Sequence, residues 1–424
     1  MLLQAFAAHL RGNQIDWKEE ISDEQWLDFF KLAGKHSLLP LIYETVCQCE
    51  SLKKVNPAIL MQIKNTSIRQ TILQVRRTEE LKLLYQKLME DGVCPLIVKG
   101  VVCRSLYPIP DDRISNDEDF LIRWEDFEKT DAAMRQWGMA YVEPDKEMEQ
   151  EFEVSYYHPK GCLVVELHKD LFSESSDAYG NFNELFADVQ TRKIPMEIDG
   201  VTIYTLGYTD HLSYLIAHAF KHFLHSGFGI RQVGDIVLFA KKHEDVIDWS
   251  IVYEKCERMR ALYFTKALFE IGKTYLGVWP LKPYEVKKWK RIQADPEALL
   301  ADLLDGGVFG DNNMARKHSS TITLNAVAAD KKGKEAKVSL RKSLFPAAKS
   351  ISGRYPYLNR YPFLLPVAWM NRIWHYYKEN KNSSNQNQAV ESIQLGKQRV
   401  ELLRKYKIID WSCTRQENRQ YADG

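Results

Sequence analysis

The sequence predicts an α+β fold in which a small mixed β-sheet is flanked by N-terminal helices and by a C-terminal helical domain. Two patterns predict it. Apolar residues recur at helical spacing in residues 1–92 and again after residue 209. Between these regions, short apolar runs alternate with turns and one helical stretch, which is typical of a sheet with helices packed on it.

Length and composition indicate several domains. The chain has 424 residues, more than one hydrophobic core usually contains, and its 45% hydrophobic and 27% charged residues are typical of globular proteins. We therefore expect four segments. They are an N-terminal helical segment 1–92, an α/β core 93–208, a helical domain 209–304 and a basic, helical extension 305–424.

Charge, hydropathy and cysteine content indicate the partners and the cellular location to expect. The net charge of +1 gives the whole chain no bias toward nucleic acid or membrane. Because no uncharged apolar stretch of about 18 residues occurs, we expect no membrane span. The 7 cysteines are odd in number and scattered, which favours reduced, buried thiols and a cytoplasmic location.

The N-terminal segment is predicted to be helical. The run MLLQAFAAHLRGN predicts an amphipathic helix, and Ser22 with Asp23 gives a capping signal for the next one. The apolar stripe of residues 57–92 predicts a long helix. We expect this segment to contribute packing and no chemistry.

The core begins with VCPLIVKG, which predicts a strand that ends at Gly100; a short helix and the polar loop DDRISN follow it. The run DEDFLIRW predicts a second strand, and the next helix is expected to end at Gly138. FEVSYYHP and CLVVELHKDLF predict two strands joined by a turn. Asp199-Gly200 predicts a hairpin between RKIPMEI and VTIYTLG.

Helices dominate the remainder, over residues 209–277 and in the runs PFLLPVAWMNRIWHYYKENK and VESIQLGKQRVELLRKYKI. Residues 305–360 predict a long, partly ordered excursion with a basic run between Lys331 and Arg360. A solvated loop packed by its own aromatic residues is the main interpretation of this run. Contact with RNA or an anionic surface is the alternative.

The first candidate functional residues are two aspartates, Asp117 and Asp119. Side chains alternate along a strand, so Asp117 and Asp119 project from the same face and can share a cation. Glu166 is a third acid that needs a partner, because its neighbours Val165 and Leu167 face the core. Mg²⁺ prefers one or two carboxylates together with substrate phosphates. These acids therefore predict a site for Mg²⁺ or Mn²⁺.

Groups suited to phosphate lie beside the acids in the sequence. Lys99 and Arg113 provide cations for phosphate oxygens, and Gly100 permits close approach of backbone N–H groups. A divalent cation held by these acids would align an attacking hydroxyl with the α-phosphate of a nucleoside triphosphate. It would also neutralise charge on the pyrophosphate that leaves. Asp119 or Glu166 is the predicted base for the acceptor.

The order of these elements resembles the uncharacterised nucleotidyltransferase family of the polymerase-beta-like superfamily. The resemblance covers roughly residues 90–275. It rests on a strand closed by Lys99-Gly100, then Tyr107-Pro108, Arg113, the strand with Asp117 and Asp119, and Glu166-Leu167-His168.

The resemblance implies a nucleotidyltransferase core at residues 93–208 that moves a nucleoside monophosphate from a triphosphate, with ATP favoured, to an acceptor hydroxyl or phosphate. A small-molecule acceptor is favoured over nucleic acid. The implied catalytic metal ligands are Asp117, Asp119 and Glu166. The implied nucleotide-binding residues are Lys99, Gly100, Arg113 and His168.

Two positions depart from the family pattern. Glu118 replaces an apolar residue between the aspartates, and Val101 follows the glycine where the wider superfamily has serine. We expect Glu118 on the face opposite the metals, at the exposed end of the strand. Both departures favour the alternative function, a catalytically degenerate nucleotidyltransferase fold that binds nucleotide or nucleic acid as a regulatory module.

Three residues of the later helices leave alternatives open. His218 and His222 share a face of a predicted helix, which allows a zinc pair. Because the sequence offers no evident third ligand, structural or substrate-contacting roles are the favoured interpretation. Asp235 lies in an apolar helix, so it either completes the cleft or is paired internally.

Overall fold

A computed structural model describes residues 1–307, 314–333, 348–351, 355, 357–380 and 388–409. The fold is α+β, as predicted, with a seven-stranded mixed sheet. The chain divides into two compact units, Met1–His222 with Gly227–Phe309, and Phe223–Ser226 with Gly310–Gly424. The four-segment division stays a prediction.

Five helices precede the sheet. Their bounds are α1 Leu2–Leu10, α2 Asp23–Lys35, α3 Leu39–Val46, α4 Glu50–Lys53 and α5 Pro57–Glu90. The predicted cap of α2 is present, since the Ser22 hydroxyl accepts from the Gln25 N–H and the Gln25 side chain accepts from the Ser22 N–H. The amphipathic prediction for α1 is wrong. Seven of its nine residues are buried, because α2, α3 and the helical turn Gly272–Leu276 all contact it.

The sheet is built from seven short strands. They are β1 Leu96–Ile97, β2 Glu118–Leu121, β3 Ala140–Tyr141, β4 Glu153–Tyr157, β5 Val164–His168, β6 Ile194–Ile198 and β7 Val201–Thr205. Their order in the sheet is β3-β4-β5-β2-β1-β7-β6. β2 runs parallel to β5 and β1 parallel to β7, while the other neighbours are antiparallel. The sequence does not predict β3, because two residues are too few to show alternation.

The register of β2 and β5 places two of the predicted acids side by side. Asp119 pairs with Glu166, and Phe120 pairs with Leu167. Because side chains alternate, Asp119 and Glu166 project from one face, while Phe120 and Leu167 lie on the other and are fully buried. β2 begins one residue later than predicted, so Asp117 lies in the loop immediately before it.

The helices of the first unit continue between and after the strands. They are α6 Gly100–Arg104, α7 Phe127–Trp137, α8 Tyr208–Leu224, α9 Ile230–Lys242, α10 Trp249–Arg258, α11 Leu262–Ile271, α12 Lys282–Glu285, α13 Lys287–Lys290 and α14 Pro296–Gly306. α7 ends as predicted at Gly138, whose φ of 110° is left-handed. Asp199 and Gly200 form the predicted turn between β6 and β7, with φ values of 46° and 81°.

The second unit is helical in its described part. Its helices are α15 Met314–Lys331, α16 Ala348–Ile351, α17 Tyr357–Arg360, α18 Leu365–Asn380 and α19 Gln388–Lys405. α15 contacts α19 so closely that a Cβ on Gly396 would lie 2.5 Å from Cδ1 of Ile322. This helix corrects the excursion predicted for residues 305–360. Its buried residues include Ser319, Thr323 and Ala326, which are too small or too polar to show a hydrophobic stripe.

Several composition-based predictions can be compared with the described residues. The six cysteines described are all free, and three of them are buried, namely Cys49, Cys103 and Cys256. Among the described helices, none combines the length and the apolar character needed to cross a membrane. Residues 334–347 and 352–354 of the basic run lie outside the described residues, so its interpretation stays a prediction.

Two histidines are buried in the neutral form. Burial lowers the pKa of His211 from 6.5 to about 3 and that of His9 from 6.5 to about 4. Nδ1 of His211 lies 3.1 Å from the Thr205 hydroxyl. Below the unfolded-state pKa the unfolded chain binds protons that the folded chain does not, so both histidines make stability fall as the pH falls.

We predict that His211→Gln weakens this pH dependence. The stability advantage of wild type over the variant is expected to shrink by up to about 1.4 kcal/mol per pH unit below about pH 6.5. Urea unfolding of both proteins at about pH 7, 6 and 5 measures the difference. A difference that stays constant across these conditions contradicts a buried, neutral His211.

Candidate active site

Three potential metal ligands meet on the face of the sheet formed by β2 and β5. Among the described residues, Asp119, Glu166 and His168 each offer one ligand atom within 4.8 Å of the others. Nε2 of His168 lies 3.3 Å from Asp119 Oδ1 and 3.7 Å from Glu166 Oε2. The Asp119 side chain is 2% exposed and that of Glu166 is 29% exposed. Asp119 is therefore the buried member, and Glu166 is the one that faces solvent.

Neighbouring cations keep Asp119 ionised. Nζ of Lys99 lies 2.8 Å from Asp119 Oδ1. Burial alone would raise the pKa of Asp119, but Lys99 and then His168 outweigh it and hold that pKa below its usual range. For His168, burial lowers the pKa, whereas Asp119 and Glu166 raise it to about 9. Asp119 is thus suited to hold a cation and poorly suited to accept a proton.

Asp117 lies beside this group and lines the same cavity as Asp119 and Lys99. Burial and the charge of Asp119 raise the pKa of Asp117 to about 6. It is not one of the three clustered ligands found among the described residues. A cation shared by Asp117 and Asp119 would relieve the repulsion between them.

Glu118 does not lie at an exposed strand end, so that prediction is wrong. Its side chain is 2% exposed and forms an ion pair of 2.5 Å with Arg104, which is 1% exposed. The same carboxylate accepts from the Val101 N–H at 2.9 Å and from the Ser115 hydroxyl at 3.3 Å. Glu118 therefore has a structural role behind the acids, which accounts for this departure from the family pattern.

Gly100 is required by this contact. Its φ is 37°, and a Cβ added there would lie 1.8 Å from Oε2 of Glu118. Because Glu118 occupies that space and accepts from the Val101 N–H, this N–H is not available to a phosphate. The sequence predicts close approach of a ligand at Gly100, whereas the structure shows close approach of a carboxylate of the protein itself.

Helix α5 supports the loop before β2, although the sequence predicted only packing for it. Oε1 of Gln74 accepts from the Ser115 N–H at 2.8 Å, and Arg77 donates to the Ser115 carbonyl at 2.6 Å. The Thr71 hydroxyl donates to Asp112 at 2.7 Å. These contacts hold both ends of the segment that contains Arg113 and leads to Asp117.

Arg113 is paired with Asp235, which resolves the alternatives for that acid. Nε and Nη2 of Arg113 donate to the two Asp235 oxygens at 3.1 and 2.6 Å, and the Tyr107 hydroxyl donates to the same carboxylate at 2.8 Å. Asp235 also lines the cavity. It is thus an internal partner at the wall of the site, and it takes up two donors of Arg113.

One histidine of the pair on α8, His218, contacts Lys99. Nε2 of His218 lies 3.1 Å from Lys99 Nζ and 3.2 Å from Nε2 of His222. Burial, followed by the charge of Lys99, lowers the pKa of His218 well below its ordinary value, so His218 is neutral. Within the described residues the pair is not part of a three-ligand group. The structure therefore favours the structural or substrate-contacting alternative over a zinc site.

Three charged residues near the site are not singled out by the sequence. Arg231 lines the cavity. Burial and then the charge of nearby Lys99 lower the pKa of Lys221. Oε2 of Glu153 lies 3.6 Å from His168 Nδ1. Each is a single charge without a motif, more than 30 residues from Asp119 in the sequence. Only the packing of α8, α9 and β4 brings them to the site.

We predict that Glu118→Leu destabilises the protein by about 3–5 kcal/mol, because it leaves Arg104 buried without its carboxylate. The double variant Glu118→Leu with Arg104→Leu is expected to recover most of this loss. Urea unfolding of wild type, both single variants and the double variant gives the coupling between the two residues. Additive losses in this cycle would contradict a coupled buried pair.

Comparisons with known proteins agree with the geometry. Residues 22–277, more than half of the chain, match the family described as uncharacterised nucleotidyltransferase. No significant match is found among curated proteins, and none among solved structures. The family match supports a role in nucleotidyl transfer. The chain is thus a member of the uncharacterised nucleotidyltransferase family.

Proposed function

We propose that the protein is a metal-dependent enzyme that transfers a nucleoside monophosphate from a nucleoside triphosphate to an acceptor hydroxyl or phosphate. The observation that carries this proposal is the convergence of Asp119, Glu166 and His168 on one face of the sheet, with Asp117 and Lys99 at the adjoining cavity. Carboxylates held together in this way suit a divalent cation and the phosphates that it binds.

The donor atoms fit a cation. Oδ2 of Asp119 is buried without a hydrogen bond among the described residues. A buried polar atom without a partner is costly, and a bound cation would supply the missing interaction. We assign Asp117, Asp119 and Glu166 as ligands of Mg²⁺ or Mn²⁺. We place His168 on the metal side of the site, because it lies between Asp119 and Glu166.

The residues divide the chemistry between them. A bound divalent cation would neutralise charge on the triphosphate and on the departing pyrophosphate. The acceptor oxygen attacks the α-phosphorus, the bond to the pyrophosphate breaks, and the acceptor proton passes to Glu166. Glu166 is the more exposed acid of the group, so an acceptor that enters from solvent reaches it first.

The charge of the surrounding chain favours a small-molecule acceptor. Residues 1–309, which contain the site, carry 37 Lys and Arg against 48 Asp and Glu, a net charge of −11. Nucleic-acid binding depends on contacts between basic side chains and phosphates. The negative charge around the site repels a long polyanion such as nucleic acid. A small acceptor experiences less of this repulsion, because it covers a much smaller surface. ATP is the first triphosphate to test.

We predict that Asp117→Asn and Glu166→Gln each lower transfer by at least about 100-fold, because each removes a charged metal ligand. Purified protein is incubated with α-labelled ATP, Mg²⁺ or Mn²⁺ and fractions of small molecules from cells, and labelled products are separated. Glu128→Gln, an exposed acid on α7, is the matched control and is expected to retain full transfer.

The outcomes separate the two functions. Labelled product that does not depend on Asp117 contradicts the proposed site. Binding of ATP without product in any fraction, in a protein with wild-type thermal stability, favours the regulatory module instead. Thermal denaturation of each variant shows whether loss of transfer reflects loss of folding.

A further inference from the structure

The geometry points to Arg231, on α9, as the residue that holds the terminal phosphates of the nucleoside triphosphate. This inference rests on the proposed function and extends it, since it assigns the polyphosphate tail to a residue that the sequence does not single out. Arg113 and the Val101 N–H would then not bind these phosphates.

The phosphate-binding groups predicted from the sequence are already engaged within the protein. Two donors of Arg113 are directed at the two oxygens of Asp235. The Val101 N–H is bonded to Glu118. Lys99 lies 2.8 Å from Asp119. A triphosphate that binds beside the acids therefore needs a further cation.

Among the described residues, Arg231 has no ion pair with an acid. Its Nη1 donates to the carbonyl of Ile114, and its Nε is buried without a hydrogen bond among the described residues. The carboxylate one helical turn further along α9, Asp235, is engaged by Arg113 and Tyr107. A carbonyl satisfies a donor but does not neutralise a charge.

The electrostatic setting of Arg231 calls for an anion. Burial and then the neighbouring charge of Arg113 lower the pKa of Arg231 to about 10, so it still carries its charge at neutral pH. A guanidinium that is withdrawn in part from solvent and lacks a carboxylate partner is destabilising until an anion binds it. Arginine is well suited to phosphate, because its planar group offers parallel donors to two oxygens.

The position of Arg231 matches the tail of the triphosphate. It lines the same cavity as Asp117, Asp119 and Lys99, so an anion bound there lies next to the proposed metal ligands. Most of the side chains that line the cavity are charged or polar, which suits a phosphate group. Arg231 also lies in the first turn of α9, where the helix dipole favours negative charge.

The inference predicts a selective loss of affinity in Arg231→Gln. ATP binding is expected to weaken about 10- to 100-fold, as for loss of a charge-assisted hydrogen bond, while AMP binding changes less than about 2-fold. Arg231→Lys is expected to recover part of the ATP affinity. Isothermal titration with ATP, AMP and inorganic tripolyphosphate measures these affinities. Arg258→Gln is the control, because Arg258 is an exposed arginine of the same unit.

Stability distinguishes a binding role from a structural one. Because Arg231 is a half-buried cation without an ion-pair partner among the described residues, Arg231→Gln is expected to unfold at the wild-type temperature or above it when no nucleotide is present. A lower unfolding temperature that accompanies equal losses for ATP and AMP would overturn the inference.

The test also separates this inference from the proposed function. Wild-type transfer together with unchanged ATP affinity in Arg231→Gln overturns the role of Arg231 and leaves the enzyme intact. Wild-type protein that binds neither ATP nor tripolyphosphate overturns both.

Discussion

The buried carboxylate of Glu118 is the interaction on which the site depends. It joins β2 to the start of α6 through the Val101 N–H, to Arg104 through an ion pair, and to the preceding loop through Ser115. Lys99 directly precedes α6 and Asp119 directly follows Glu118. One carboxylate thus connects the chain segments that carry Lys99 and Asp119, whose charged atoms lie 2.8 Å apart.

Two further constraints position the acids relative to this point. The parallel register of β2 and β5 makes Asp119 and Glu166 neighbours across the sheet, so neither depends on a flexible loop for its direction. Asp117 does lie in a loop, and α5 compensates by binding that loop through Gln74 and Arg77. The N-terminal helices thereby contribute to the geometry of the site as well as to its packing.

The charges of the cleft follow a simple pattern. Lys99 faces Asp119, Arg113 faces Asp235, and Arg104 faces Glu118, so each of these buried cations has its own carboxylate. Arg231 and Asp117 lie at the same cavity without such a close partner in the described part of the chain. In the proposed function, a metal ion at the acid and a phosphate at the guanidinium would complete this balance.

The sequence by itself determined the α+β class, six of the seven strands, the cap at Ser22 and the turns at Gly138 and Asp199-Gly200. These features depend on local spacing and backbone conformation, which neighbouring residues encode. It also predicted Asp117, Asp119 and Glu166 as metal ligands, from the spacing of the aspartates and the apolar neighbours of Glu166, whereas the role of His168 came from the family resemblance. Tertiary structure alone decided the partners of these residues. The burial of Glu118 against Arg104, the pairing of Arg113 with Asp235 and the placement of Arg231 each join separate elements. No local pattern encodes them, because a side chain's partner is set by which helix packs against which strand.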